Sequence, residues 1–439
     1  MWRVPQPGVS PGAQPGVAPV GEPGVGAPLG TVAPGFAGAQ PGLRSGLPAW
    51  AHQGRAAKSI RKRNTGPGMD RVRIVIVGAG ICGAATACFL ARGGETDVVV
   101  LEGEDAFNRH SSGRSASYFV PMYETRLFAH LARLAEPFLQ APPEGFTPYP
   151  LIDRRGAVLA AGESDLATFR TELATARELG IPFEDLDPAR IPQLIPIARP
   201  RGIAAAAFYP GAGAMDCNAL SMGYIGHARR AGIRFALNRR FTGADVRGGR
   251  VVGVATDAGP IACDILVNAA GAWAGTTAAL AGATPIACEP RRRHVVCVAL
   301  PPEHAQARWP FFRCPSLPLY FRPEAGQVLA SAMDAEPIAP CDCPTDELQL
   351  ARAADALAAN TTLDFRRIES SWAGLRVFSP DGAPLVGWDP ALAGFLWVAA
   401  VGGTGIQSSP AVGQLAADLL LGHAPRDPAL AAMDPARFA

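Results

Sequence analysis

Arg71-Val-Arg-Ile-Val-Ile-Val77 runs directly into Gly78-Ala-Gly80-Ile-Cys-Gly83, and then into Ala84-Ala-Thr-Ala-Cys-Phe-Leu-Ala-Arg92. The first run is β-branched and almost wholly apolar, which predicts a strand covered by helices on both faces. The last has helical composition and stops at Gly93-Gly94, where glycine ends a helix without steric cost. Between them, Gly78 permits the tight strand-to-helix turn and Gly80 lets the backbone approach a pyrophosphate. Gly83 lets the helix lie close on the strand, while its N-terminal N–H groups face the phosphates. A second strand, Asp97 to Leu101, ends at Glu102, 24 positions after Gly78. A carboxylate there accepts both hydroxyls of a ribose and disfavours a 2′-phosphate. GxGxxG alone is weak evidence, but strand, glycines, helix and acid together specify a dinucleotide site. They do not separate NAD from FAD.

Upstream of this unit the composition changes. Residues 1–68 hold eleven prolines, fourteen glycines, seven basic residues and one acid, Glu22. Pro-Gly recurs without a strict three-residue period, so a collagen helix is excluded and disorder is expected. Both lysines of the chain, Lys58 and Lys62, lie here, and Ser59-Ile-Arg-Lys-Arg63 reads as a solvated charge run. A start at Met69, immediately before the first strand, is an alternative explanation of the biased stretch. The 439 residues carry a formal charge of only +2 and 48% hydrophobic residues. That balance gives no reason to expect nucleic acid as a partner, and the length suits two domains. No run reaches the ~20 apolar residues of a membrane span. The nine cysteines are odd in number, with Cys82, Cys88 and Cys297 inside apolar runs. Reduced thiols and a cytoplasmic location are expected, with peripheral membrane association left open. Cys341-Asp-Cys343 has no second pair beside it, so no metal site is expected.

Three further segments carry signals. His110-Ser-Ser-Gly-Arg-Ser-Ala-Ser117 is a loop of small and hydroxyl residues soon after the second strand. Asp264 to Ala274 is a short apolar strand entering the small-residue turn Ala269-Ala270-Gly271. Near the end, the strand Phe395 to Val401 leads through Gly402-Gly403-Thr-Gly405-Ile406-Gln407 into a helix over Ala411 to Leu421. Glycines there let the chain pass close to a planar ring, and the new helix N-terminus stabilises negative charge.

From Met69 to about Pro425 the sequence resembles the D-amino-acid oxidase superfamily of FAD-dependent oxidoreductases. The runs HSSGRSAS, VNAAGAW, EPRRRH, LYFRPEAG, SWAGLRVFSPDG and WVAAVGGTGIQSS look most like the D-arginine dehydrogenase branch. The resemblance implies non-covalently bound FAD, contacted by Gly78, Gly80, Gly83, Glu102, Ser112, Gly113, Arg114, Ser115, Ala270, Gly271, Gly402, Gly403, Gly405, Ile406 and Gln407. It implies hydride transfer from the C–N bond of a small amino acid or secondary amine to flavin N5. Arg376 resembles the guanidinium that holds a substrate carboxylate. Arg292 resembles a second, with the register inside Arg291–Arg293 open. Tyr123 and Tyr320 resemble tyrosines walling the substrate cavity, although a tyrosine in a strand is more often core.

The departures are informative. The branch's glutamate for a cationic side chain corresponds to Ala157, which argues against D-arginine and toward a non-cationic D-amino acid. A loop histidine is replaced by Tyr118, and Arg313 stands where relatives have an apolar residue, hinting at an acidic substrate. No histidine falls where sarcosine and dimethylglycine dehydrogenases attach flavin, and Cys314 is not convincingly placed for a cysteine link. Whether oxygen or a quinone reoxidises the flavin is not written in any motif. Two other readings remain: a relative working on glycerol-3-phosphate, and a flavin-binding subunit without turnover of its own.

The expected fold is α/β, a Rossmann-like three-layer FAD-binding domain with a mixed-sheet α+β substrate domain. Residues 69–146, 206–284 and 366–439 are assigned to the first, and 147–205 and 285–365 to the second. Helical spacing of apolar residues predicts helices over Ala167–Leu179 and Thr345–Ala359.

Overall fold

The run Ile74–Val77 is the centre of a six-stranded sheet. Its order is Arg234–Ala236, Val98–Leu101, Ile74–Val77, Ile265–Asn268, Phe395–Ala399 and Leu385–Trp388. The first five strands run parallel, and Leu385–Trp388 closes the edge antiparallel. The computed structural model describes residues 70–122 and 125–439, all within a single compact unit. The tail 1–68 and Tyr123 lie outside the described residues.

Side chains alternate across a strand, so one strand feeds two cores. Ile74, Ile76, Val98, Val100, Leu396 and Val398 point to one face, under the helices Ile81–Arg92, Arg126–Gln140, Cys217–Arg230 and Gly405–Leu420. Val75, Val77, Val99, Leu101, Phe395 and Trp397 point to the other. That second face is covered differently from the expectation. A second sheet, in which Phe241–Arg247, Arg250–Thr256 and Ile261–Ala262 are antiparallel and Asp70–Arg71 adds a parallel edge, covers it together with the short helix Ala274–Ala281. Both covers are apolar, so the strand's composition could not tell them apart.

The other large sheet has nine strands and is mixed. Its path runs Glu336–Pro337, Glu289–Ala299, Gln327–Ser331, Leu319–Glu324, Phe311–Cys314, Ala157–Ala161, Ala205–Tyr209 and Glu184–Leu186. Ser370–Phe378 pairs with Glu289–Ala299 along nine residues. All pairings are antiparallel except Phe311–Cys314 with Ala157–Ala161. One face buries Val158, Val296, Phe312 and Phe321 against the helix Glu347–Asn360. The other buries Ala157, Leu159, Val295, Phe311 and Tyr320 with Phe169 and Leu173 of the helix Leu166–Glu178. Both helices start within two residues of their expected positions. The long strand Ser370–Phe378 reaches from this sheet to the glycine turn, where Val377 bridges Gly402. The molecule is thus α/β, a parallel three-layer body joined to a mixed sheet.

Among the described residues, no helix is long and apolar enough to cross a membrane. All nine cysteines are unpaired thiols.

Candidate active site

The strand-to-helix turn at Gly78 sets the first wall. Gly78 has φ +100, and a Cβ there would lie 2.4 Å from the carbonyl oxygen of Ala269. A Cβ on Gly83 would lie 1.9 Å from the Gly78 oxygen, so helix and turn are in direct backbone contact. At Gly80 the nearest atom to such a Cβ is Ser112 Oγ, at 3.7 Å. The space in front of Gly80 is therefore open, and the helix that follows has no side-chain cap and no acid in its first turn. Glu102 is fixed by two backbone donors, the N–H of Ala79 at 2.9 Å and that of Glu104 at 3.1 Å.

These residues line a cavity of about 310 Å³, with Ser112, Ala270, Gly271 and Gly402 on its other walls. Gly271 has φ +56, and a Cβ on it would meet nothing within 4 Å. An open helix N-terminus, an immobilised carboxylate and bare glycines facing a void fit a dinucleotide. Gly83 and Gly113 do not line the cavity; they make close backbone contacts behind it, Gly113 against the Asn108 carbonyl.

The cavity continues into two smaller ones through shared walls. The middle one is bordered by Ser112, Arg114, Ser115, Gly405 and Ile406 on the glycine-loop side, and by Arg293, Tyr320 and Arg376 on the sheet side. The innermost shares Ser115, Tyr320, Arg376, Gly403 and Ile406, and adds Tyr118, Arg313 and Gln407. Gln407 accepts the Val120 N–H at 2.9 Å through Oε1, which fixes the start of the Gly405–Leu420 helix against the opposite loop. That helix also begins without a side-chain cap or first-turn acid.

Tyr320 is 4% exposed, and its hydroxyl is buried with no hydrogen-bond partner among the described residues. A buried hydroxyl left unsatisfied costs ~1–3 kcal/mol, so its position on a cavity wall is that of a group awaiting a ligand. Tyr118, by contrast, is satisfied. Its hydroxyl donates to the Gly156 carbonyl at 2.8 Å, accepts from the Phe311 N–H, and its ring stacks on Phe311. Burial pushes its pKa up to about 12, so it stays neutral.

The register within the three arginines is resolved by strand alternation. Arg291 pairs with Arg376 and Arg293 with Gly374, so Arg293 shares the face of Arg376 and lines the cavity. Arg292 projects to the other face, where it meets Glu336 at 2.8 Å and Asp346 at 3.5 Å beneath the helix Glu347–Asn360. The expected second substrate arginine is therefore replaced in the cavity wall by its neighbour. Arg114 lines the cavity, but its guanidinium is committed elsewhere. It binds Asp342 and the carbonyls of Ala373 and Cys343, clamping the 341–343 segment to the sheet.

Ala157 is fully buried opposite Phe311 in a hydrophobic core, lines none of the three cavities and carries no charge. Cys314 faces the core under Glu347–Asn360, bonded to Ser316, away from all three cavities. His294 is held by Asp334 at 2.7 Å and accepts the Asp346 N–H, a structural arrangement. Sequence reasoning missed Arg239, Arg240 and Trp273 in the first cavity, and gave His110 no role of its own there. His110 packs 4.7 Å from Trp273 and lies 3.1 Å from Glu104. No spacing in the sequence marks them, because they reach the cavity from separate strands and turns.

Comparison with known proteins agrees with this geometry. The family described as DAO, FAD dependent oxidoreductase, matches residues 73–419. Glycine oxidase of Pseudomonas aeruginosa is 28% identical over 393 residues, covering 84% of this chain and 98% of that protein. The 4-methylaminobutanoate oxidase (formaldehyde-forming) of Paenarthrobacter nicotinovorans is 27% identical over 268 residues, or 60% of this chain. This chain spans only about a third of that protein, 32%. In fold, the L-proline dehydrogenase from P. horikoshii superposes with a TM-score of 0.73 at 22% identity, covering 84% of this chain and 98% of that one. With the match spanning most of its folded length and the cavity built to suit, the chain belongs to the DAO family of FAD-dependent oxidoreductases.

Proposed function

We propose that this protein oxidises the C–N bond of a small, non-cationic amino acid or secondary amine. The observation that carries the reading is one cavity wall. Arg376 and the unsatisfied hydroxyl of Tyr320 border the same space as the Gly402–Gly405 turn. A guanidinium and a phenol together suit a carboxylate, the first by charge-assisted paired bonds and the second by one more donor. The relatives named for glycine and for 4-methylaminobutanoate support an amine or amino acid as substrate. FAD, when bound, supplies the two-electron acceptor: the substrate's Cα–H leaves as hydride while its nitrogen lone pair closes the C=N bond.

The chain's own contribution is positioning. Arg376 and Tyr320 hold the carboxylate end, and the stacked rings of Tyr118 and Phe311 keep water from the reacting carbon. Gly78, Gly80, Glu102, Ser112, Ser115, Ala270, Gly271 and the 402–407 turn would hold the cofactor without a covalent link, Cys314 being turned away. Within this reading, 69–146, 206–284 and 366–439 supply the cofactor domain and 147–205 with 285–365 the substrate domain, except that the strands Ala205–Tyr209 and Ser370–Phe378 belong to the mixed sheet of the latter. The D-configuration belongs to the same proposal and rests on the likeness of the HSSGRSAS and SWAGLRVFSPDG runs to the D-arginine dehydrogenase branch.

Anaerobic bleaching of the flavin absorbance by a panel of D- and L-amino acids, imino acids and sarcosine tests the reading. Reduction by glycerol-3-phosphate but by no amine would overturn it, and reduction by nothing would favour a flavin-binding subunit. Stopped-flow reoxidation with oxygen against a soluble quinone then separates oxidase from dehydrogenase.

A further inference from the structure

We infer that the innermost cavity selects a substrate with a second anionic group, a dicarboxylic amino or imino acid, through Arg313. The inference rests on the amine-oxidising function proposed above and names its substrate class. Arg313 is the direct cross-strand partner of Tyr320. Side chains of such a pair leave the sheet on the same face, ~5 Å apart at Cβ. Phe311, two residues earlier, shares that face and its ring lies 5.6 Å from Tyr320. Arg313 thus extends the wall that Tyr320 begins, in a cavity that the turn at Gly403 also borders.

Two arginines border this cavity. Among the described residues, its walls include two guanidinium groups, Arg376 and Arg313, and no carboxylate. The acid beside Arg313 is Glu172 of the helix Leu166–Glu178, whose Oε1 is 4.0 Å from Nη1, and it does not line the cavity. Both are largely buried, with side chains 9% and 11% exposed. Glu172 offsets the cost of burying Arg313, and Arg313 borders the void while Glu172 does not. Arg376, Tyr320 and Arg313 offer donors at two places along one short cavity. A substrate carrying one carboxylate at Cα and another on its side chain or nitrogen substituent meets both; a cationic side chain meets like charge.

Kinetics of flavin reduction with matched acid and amide pairs reads this directly. Aspartate against asparagine and glutamate against glutamine, in both configurations, are joined by iminodiacetate against sarcosine. In the wild-type holoenzyme kcat/KM should favour the acid of at least one pair by roughly tenfold or more, as expected for a charge-assisted contact. Arg313→Leu should collapse that ratio toward one, and Arg313→Lys should restore part of it. A purely structural Arg313 would lower both members of a pair together and leave the ratio untouched. Should Arg313→Leu not fold, wild-type protein alone decides. Malonate or succinate should perturb the flavin spectrum at lower concentration than acetate or propionate, with the advantage weakening as salt rises. Neutral amino acids reducing the flavin while acids do not, or a ratio unchanged in Arg313→Leu, overturns this inference and leaves the proposed function standing. Reduction by no amine overturns both.

Discussion

A Cβ on Gly403 would lie 2.7 Å from Nη1 of Arg376. The guanidinium therefore rests directly on the backbone of the glycine turn, and the two positions depend on each other. Gly403→Ala is expected to push Arg376 off its place without touching the Gly78 cavity. Affinity for carboxylate ligands, read from the flavin spectrum, should fall by about 10–100-fold, the worth of ~1.5–3 kcal/mol for a charged hydrogen bond. Because Gly403 also belongs to the turn that would hold the cofactor, flavin content is measured beside it, and carboxylate affinity should fall further than FAD affinity. Unchanged carboxylate affinity would separate Arg376 from substrate binding.

Two other glycines should behave in opposite ways. At Gly83 a methyl would meet the Gly78 oxygen at 1.9 Å, whereas at Gly271 it would meet nothing. Gly83→Ala must separate helix from turn, and should lose stability and FAD together. Gly271→Ala should fold, with a cost of about 1–2 kcal/mol for its left-handed backbone, yet bind FAD weakly because the methyl enters the cavity. Thermal unfolding measured beside flavin content distinguishes them. Equal FAD affinity in Gly271→Ala and wild type would mean that the cavity does not hold the cofactor.

Arg292 and Arg293 are neighbours in sequence with separate duties. Arg292→Ala leaves Glu336 and Asp346 without their guanidinium and should lower the melting temperature with little effect on KM. Arg293→Ala should raise KM or alter the flavin spectrum, since Arg293 borders the middle cavity. The reverse pattern would show that the strand is shifted by one residue.

The C-terminal segment is tied down by a titrating contact. Arg437 donates to both carboxylate oxygens of Asp381, at 2.7 and 3.1 Å, and with help from Ser379 and the Ala383 N–H holds its pKa down to about 2. Folded-state depression means that the stabilisation is fully present above the ordinary value of 3.8 and is lost as pH falls toward about 2. Asp381→Asn should therefore melt earlier than wild type at neutral pH, with the gap closing in acid. A gap independent of pH would assign the loss to packing instead of charge.

What the sequence determined was local. The β-branched run to Val77, the three glycines and Glu102 predicted a dinucleotide cradle, since each acts within its own turn or strand end. The helix positions near 166 and 347 followed from periodicity for the same reason. Coverage of one face of the central sheet mainly by a second sheet was not legible in the strand itself, because a sheet and a helix ask for the same apolar residues. Nor was the choice between Arg292 and Arg293. A one-residue difference reverses the face a strand residue presents, and only pairing with Ser370–Phe378 fixes it. The inner cavity is likewise a tertiary product. Arg313, Tyr320, Arg376 and Gly403 stand on three strands and a turn, and their charge acts as one field only because the sheet brings them around one space.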